Sequence, residues 1–415
     1  MNGLLAAVVL GASAIGTTGQ TVASLAALHP RSTYICIIPD TQNQTDPEQE
    51  TSSTISPDMT ACNLGTLCVP GIGTCTDSPY CSRSWINSGQ RVLQNQTRDL
   101  LGRWGEVDWE GMQGNGRPFT VATKPNHMGP HPRCDLILHV GDMIDEGDFS
   151  TGASSGAAFT QWQRFRGSMM DELFASGIPF LAALGNHDDA VYFANDFIPR
   201  LRTKSYYHTD GSAVVDYLGL GVNKTLYVAS ILAPTPAGKI CVVTGPFYGG
   251  VGSGSGTSGV QALYDLAKAQ IGCGASYPTI LLSHNGAGSA FTKPLEPTNL
   301  ITNEVTSEEV FMWASGHFTF AFPANTMNLI TGTTGVQFHD VFCNFQELDR
   351  LTGTGFGLSP SDGAAGTYCV IKLSPTNDTI TEVTWTPYFQ NSIANNSGYS
   401  VEYKVLSFDF DARFP

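Results

Sequence analysis

Basic side chains are scarce in this sequence. Its 415 residues include 21 Lys and Arg against 36 Asp and Glu, which gives a formal net charge of −15 at pH 7. Such a chain offers little positive surface to the phosphates of a nucleic acid or to an anionic membrane, unless a bound metal supplies the positive field. Nucleic acids and anionic membranes are therefore poor candidates for tight partners.

Long apolar runs are also missing after the N-terminal stretch, so we expect no membrane span. Residues 1–16 are apolar and are followed by small residues, which predicts a signal peptide over residues 1–22 and a secreted, extracellular protein. The stretch lacks a basic start, and a short buried helix or a membrane anchor is the alternative. The C-terminal residues 408–415 are too polar for a lipid-anchor signal.

The ten cysteines support export. Four of them lie in a loop rich in Gly, Pro, Thr and Ser that has no other means of holding a shape, so disulfides are expected there: Cys62, Cys68, Cys75 and Cys81. A zinc knuckle is the alternative, but the loop lacks both CxxC spacing and a neighbouring His. Glycosylation sequons begin at Asn95, Asn223, Asn377 and Asn395, and a fifth, at Asn43, is expected to stay unmodified.

Apolar, strand-like runs that end in polar residues recur along the chain. They cover residues 33–39, 136–140, 179–184, 279–282 and 311–315. Helical spacing predicts helices over residues 85–104, 157–176 and 260–271. We favour one α/β domain over residues 31–415 rather than two domains, with a cysteine-rich insertion at 45–133. The β-like pattern from Leu329 onward, including a C-terminal β-rich segment at 335–415, predicts a second sheet.

The polar residues after these runs define a candidate site. A buried strand cannot carry an unpaired carboxylate within its body, so the acids belong at the strand ends, where ligands bind to open α/β sheets. Five strand ends are expected to meet at one sheet edge and to deliver Asp40, Asp142, Asn186, His284 and His317. This mixed oxygen and nitrogen set suits Mn, Fe or Zn rather than a thiolate-bound structural zinc.

The ordered series of motifs resembles the calcineurin-like metallophosphoesterase superfamily, in particular the branch whose first motif is Asp-Thr-Gln. The motifs are PDTQ (39–42), GDMID (141–145), GNHD (185–188), SH (283–284) and GH (316–317). The resemblance runs from about Thr33 to the C-terminus. It implies a four-layer α-β-β-α sandwich with two mixed β-sheets and a centre of two divalent or trivalent metal ions.

The resemblance also implies roles for single residues. Asp142 would bridge both ions, and the first site would add Asp40 and Gln42. The second site would be completed by Asn186, His284 and His317. A metal-activated hydroxide would attack phosphorus, and His187, oriented by Asp145, would stabilise or protonate the leaving oxygen. A turn-capping acid is the alternative for Asp145.

One position departs from the family pattern. The usual GHxH ending is Gly316-His-Phe-Thr319 here, and Gln42 replaces another imidazole, so the first site is expected to hold its ion weakly. Replacement ligands could come from His127, His131 or His339, although each of these fits a loop or strand histidine better. Tyr206, Tyr207 and His208 could line the pocket, but packing is the more common role for such residues.

Two functions follow from the resemblance. The first is a secreted metal-dependent phosphoesterase that hydrolyses a phosphomonoester or a phosphodiester, with a small-molecule or macromolecular substrate. The second is a metallophosphoesterase-fold binding protein that has lost turnover through the weakened first site. A disulfide-stapled adhesion module is a third reading, but it explains none of the acidic strand ends.

Overall fold

The computed structural model describes residues 32–41, 89–103, 133–145, 147, 156–216, 223–244, 267–274, 276–284, 310–316, 325–331, 337–343, 368–385 and 404–408. The predicted signal peptide and the four cysteines of the insertion lie outside these residues.

Two mixed sheets form the centre of the described fold. Among the described residues, the first sheet has six strands: β1 (Thr33–Ile38), β2 (Leu136–His139), β3 (Phe180–Ala182), β11 (Tyr368–Ser374), β12 (Thr379–Trp385) and β13 (Lys404–Ser407). Their order is β13-β12-β11-β1-β2-β3. Parallel pairing joins β1 to β2 and β2 to β3, and the remaining pairs are antiparallel.

The second sheet has seven strands within the described ranges: β4 (Tyr207–Asp216), β5 (Asn223–Thr235), β6 (Gly238–Thr244), β7 (Thr279–Leu282), β8 (Val310–Ser315), β9 (Asn325–Thr331) and β10 (Gln337–Cys343). Their order is β4-β5-β6-β7-β8-β10-β9. The central strands β6, β7, β8 and β10 run parallel.

The two sheets share a hydrophobic core. Along β6, Ile240 and Val242 belong to the large core cluster that also contains β1 and β2, whereas Cys241 and Val243 belong to a second, smaller cluster. This alternation is the period of two that a strand covered on both faces requires. It explains why the parallel strands read as continuous apolar runs in the sequence.

Most of the described helices lie within residues 89–202. They are α1 (Gly89–Leu100), α2 (Gly156–Phe165), α3 (Asp171–Ala175), α4 (Ala190–Tyr192) and α5 (Ile198–Arg202), with π-helical turns at Arg166–Met170 and Phe193–Phe197. Edge-to-face contacts join Phe180 of β3 to Phe174 and Phe197. Residues 267–271 are helical and place Ala267 in the smaller cluster on the second sheet. The α/β sandwich predicted from the sequence is confirmed.

The prediction for the C-terminal strands was wrong. Of the C-terminal strands that the structure describes, β9 and β10 join the second sheet, whereas β11 pairs antiparallel with β1 and carries β12 and β13 into the first sheet. The β4–β5 hairpin was not predicted at all. Strand periodicity indicates which residues are buried, but it does not indicate which distant edge a strand will join.

Disulfides connect cysteines of the strands to other parts of the described fold. The described residues contain Cys36–Cys134, Cys241–Cys273 and Cys343–Cys369. The third pair connects β10 in the second sheet to β11 in the first. No helix among the described residues is long and apolar enough to span a membrane.

Candidate metal centre

The carboxyl ends of β1, β2 and β7 bring three predicted ligands together. Asp40, Asp142 and His284 are all buried, and each offers one ligand atom within 4.8 Å of the others. Since β7 belongs to the second sheet, the expectation that all five predicted ligands meet at one sheet edge was wrong. The cluster lies at the carboxyl ends of strands from two facing sheets.

His284 is held in one orientation by a main-chain acceptor. Its Nδ1 lies 3.0 Å from the carbonyl oxygen of Val140 and donates to it. The other ring nitrogen, Nε2, therefore faces the cluster. Nε2 lies 3.1 Å from Asp142 Oδ2 and 2.9 Å from Asn186 Oδ1. A neutral imidazole would therefore direct its lone pair at two oxygen atoms, which is unfavourable. The arrangement requires either a second proton on the ring or a cation between Nε2 and these oxygens.

The pKa of His284 reflects the negative charge of these carboxylates. Burial lowers this pKa, but the nearby carboxylates of Asp142 and Asp40 outweigh that effect and raise it to about 9. For Asp142, burial raises the pKa, and the charge of His284 and its hydrogen bond more than offset that effect, so that the pKa is lowered. A metal ion would satisfy the same carboxylates while His284 stays neutral, with the Nδ1–H to carbonyl bond typical of metal-bound histidines.

The backbone at Asp142 adopts a conformation that non-glycine residues rarely use. Asp142 has φ of 53° and follows Gly141 with φ of 105°. A Cβ at Gly141 would lie 2.7 Å from the nitrogen of Gly185, and a Cβ at Gly185 would lie 2.0 Å from Asp142 Oδ1. Backbone strain of this kind is costly and clusters at functional sites. The two glycines allow the second and third motifs to touch.

The side chain of Asp188 connects these two motifs, a role that was not predicted from the sequence. Its buried carboxylate accepts hydrogen bonds from the backbone nitrogens of Asp142 (2.9 Å), Met143 (2.7 Å), Ile144 (3.2 Å) and Gly185 (2.8 Å). Burial and the charge of Asp142 raise the pKa of Asp188 to about 7. Its place in the GNHD motif was the feature of the sequence that could have indicated a role, but only the geometry shows that it acts through main-chain donors.

His187 and Asp145 lie at the more open side of the cluster. His187 Nδ1 is 3.0 Å from Asp145 Oδ1 and 2.9 Å from the Asp145 carbonyl oxygen. The backbone nitrogen of His187 donates to Asp142 Oδ1 at 2.9 Å, and the nitrogen of Asp145 donates to the buried Gln161 Oε1 at 2.8 Å. Burial lowers the pKa of His187, but the hydrogen bond with Asp145 and the charge of Asp142 raise it to about 10.

Several residues named from the sequence contribute nothing to the described cluster. Gln42, His127, His131, His317 and Thr319 lie outside the described residues. His339 is buried in β10, with its Nδ1 3.2 Å from the Phe311 carbonyl oxygen and its ring beside Phe408. It is a strand histidine, as expected. Tyr206 is buried in the large core cluster, with Tyr207 packed against it.

One family model matches the chain. Residues 109–298 match the model of the calcineurin-like phosphoesterases. This range is just under half of the chain, so the match shows a similarity to that family. The matched range contains Asp142, Asn186 and His284, whereas Asp40 and the predicted ligand His317 lie outside it. No curated protein matches the chain.

The donor set of this cluster fits a metal centre. Two carboxylates, an imidazole and an amide oxygen converge at the buried cluster, and this oxygen and nitrogen chemistry suits Mn, Fe or Zn. The imidazole already has the main-chain partner that fixes its tautomer.

Proposed function

We propose that this protein is a secreted, metal-dependent phosphoesterase that hydrolyses a phosphomonoester or a phosphodiester. The observation that carries the proposal is the buried cluster of Asp40, Asp142 and His284, which lies at the carboxyl ends of strands from both sheets. Two carboxylates this close in a buried site repel one another, and bound cations offset that repulsion. The similarity of residues 109–298 to the calcineurin-like phosphoesterases supports this class of reaction.

The ligands divide into two groups around Asp142. Asp142 lies next to both Asp40 and His284, so its carboxylate would be the ligand shared by the two groups. Asn186 and His284, joined by His317, would hold one ion, and Asp40, joined by Gln42, would hold the other. When bound, the metals would activate a water molecule and neutralise the phosphoryl oxygens.

His187 is suited to hold the proton that the leaving group needs. Asp145 accepts the Nδ1–H bond of the ring, and this hydrogen bond raises the pKa of His187. Nε2–H then remains to donate to the leaving oxygen, which is general acid catalysis. The Gln161 side chain fixes the main chain of Asp145 and so the direction of this pair.

Secretion is supported by cysteine chemistry. The described disulfides, such as Cys36–Cys134, form and persist in oxidising compartments. An Asn377 sequon lies in the exposed turn between β11 and β12, where a glycan could be carried.

The test uses the purified full chain with added Mn²⁺ or Zn²⁺. Hydrolysis of p-nitrophenyl phosphate and bis(p-nitrophenyl) phosphate is compared between wild type and Asp142→Asn. We expect the variant to lose about 100-fold or more in kcat/KM. Replacing a residue that hydrogen-bonds to a metal ligand already costs up to about 100-fold, and replacing the ligand itself should cost at least as much. Asp171→Asn, which removes a carboxylate from an exposed ion pair in α3, is the matched control and should leave the rate unchanged. Equal rates in wild type and Asp142→Asn would contradict the proposal.

The second candidate is a binding protein of the same fold that no longer turns substrate over. The loss of two imidazoles, at Gln42 and Thr319, favours it. In that case the wild type would bind Mn²⁺ and inorganic phosphate in equilibrium dialysis, and it would hydrolyse neither ester above the background. Metal content after dialysis adds a further test, since we expect one firmly held ion and one that is lost.

A further inference from the structure

A hydrogen-bonded chain runs behind the candidate metal centre. The nitrogen of Gly141 lies 3.1 Å from His139 Nδ1, and His139 Nε2 lies 3.1 Å from the hydroxyl of Thr41. That hydroxyl donates to the carbonyl oxygen of Met143 at 3.2 Å. Thr41, His139 and Met143 are all fully buried, so the chain is shielded from water.

The direction of every bond in this chain is fixed by its first member. A backbone nitrogen can only donate, so Gly141 requires the lone pair of His139 Nδ1. The neutral ring then carries its proton on Nε2 and donates it to Thr41, which leaves the hydroxyl hydrogen of Thr41 for the Met143 carbonyl. A protonated ring would turn an N–H toward the N–H of Gly141, and the chain would break.

The chain connects two loops that carry predicted metal ligands. Thr41 follows Asp40 directly, while Gly141 and Met143 flank Asp142 on either side. One main-chain bond already joins these loops, from the nitrogen of Thr41 to the carbonyl oxygen of Asp142 at 2.9 Å. The side-chain bonds add a second and a third connection, which prevent the loops from pivoting about the first.

We propose that His139 and Thr41 are positioning residues, which set the placement of Asp40 relative to Asp142 and thereby the affinity of the centre for its metal. This inference rests on the proposed function. Neither residue belongs to the cluster of Asp40, Asp142 and His284. Removing the hydroxyl leaves the His139 N–H and the Met143 carbonyl without this partner in a dry interior, where the loops shift to find others.

The experiment compares two substitutions at Thr41. Thr41→Val keeps the shape and removes the hydroxyl, whereas Thr41→Ser keeps the hydroxyl. Equilibrium dialysis with Mn²⁺ on the full chain measures the Kd directly, without any turnover. We expect Thr41→Val to raise the Kd about 10-fold and Thr41→Ser to stay within about twofold of wild type, in line with other partners of metal ligands.

A second pair of variants tests the other end of the chain and guards against misfolding of Thr41→Val. His139→Gln can place an amide N–H where Nε2 lies and should retain Mn²⁺ affinity better than His139→Asn, which can only replace Nδ1. Thermal unfolding of the metal-free variants separates the roles, since a purely structural residue would lower the Tm and leave the Kd unchanged. Wild-type affinity in Thr41→Val and His139→Asn would overturn the inference. Absence of Mn²⁺ binding by the wild type would overturn the proposed function itself.

Discussion

Substitution of Gly185 by alanine is the sharpest test of the site geometry. The added Cβ would lie 2.0 Å from Asp142 Oδ1 and 2.3 Å from the Asp142 nitrogen, whereas real Cβ atoms essentially never approach another heavy atom within 3.0 Å. Because one of these contacts is to the backbone, rotating the Asp142 side chain cannot relieve both. The loop carrying Asp142 must therefore move by about 1 Å, a displacement that can cost about 100-fold in rate.

The expected result has two parts. Overpacking of this kind destabilises a protein by about 1–3 kcal/mol, which urea unfolding of the metal-free protein would report. Equilibrium dialysis should show a loss of Mn²⁺ affinity, and hydrolysis of whichever aryl phosphate ester the wild type cleaves should fall about 100-fold.

The chain offers a matched control at Gly167. This glycine is an exposed residue of the π-helical turn that follows α2, and an added Cβ would meet nothing within 4 Å. Gly167→Ala should leave Mn²⁺ affinity and turnover unchanged and should stabilise the protein by about 0.5–1 kcal/mol, because alanine loses less backbone entropy on folding. If Gly185→Ala bound Mn²⁺ and turned substrate over like Gly167→Ala, the close contact of the two motifs would be refuted.

Two further predictions concern titration and the disulfides. The pKa of His187 is raised from 6.5 to about 10 in the folded metal-free protein, so its contribution to stability is fully present below pH 6.5 and is lost as the pH rises through 10. Asp145→Asn should therefore lower the pKa of His187 in an NMR titration, and an unchanged value would contradict the pairing. Loss of the Cys36–Cys134 disulfide, which closes a loop of 98 residues, should cost about 4.7 kcal/mol by chain entropy. The other two disulfides in the described residues, with separations of 32 and 26 residues, should cost about 3.7 and 3.5 kcal/mol, and urea unfolding that gave the reverse order would contradict this ranking.

The local part of the fold was predictable from the sequence. The run at β7 was predicted with the bounds that the structure has, and β1 and β8 were predicted to within one residue at each end. Such strands are recognisable because burial on both faces demands a continuous apolar run, and the run must stop where polar ligands begin.

The pairing of distant strands was not predictable in the same way. The β4–β5 hairpin was missed, and β11 was assigned to the wrong sheet. A strand that is apolar on its inner face fits many edges equally well, and the choice among them depends on which partner lies nearby once the core has formed.

The sequence by itself determined the chemistry of the candidate site. The identities of Asp40, Asp142, Asn186 and His284, and their positions after apolar runs, follow from the order of residues along the chain. Tertiary structure alone decided that two facing sheets supply them, that Asp188 secures two motifs through four backbone donors, and that His139 and Thr41 connect two loops. The physical reason is that main-chain donors and acceptors are the same for every sequence, so only their arrangement in space shows which side chain they meet.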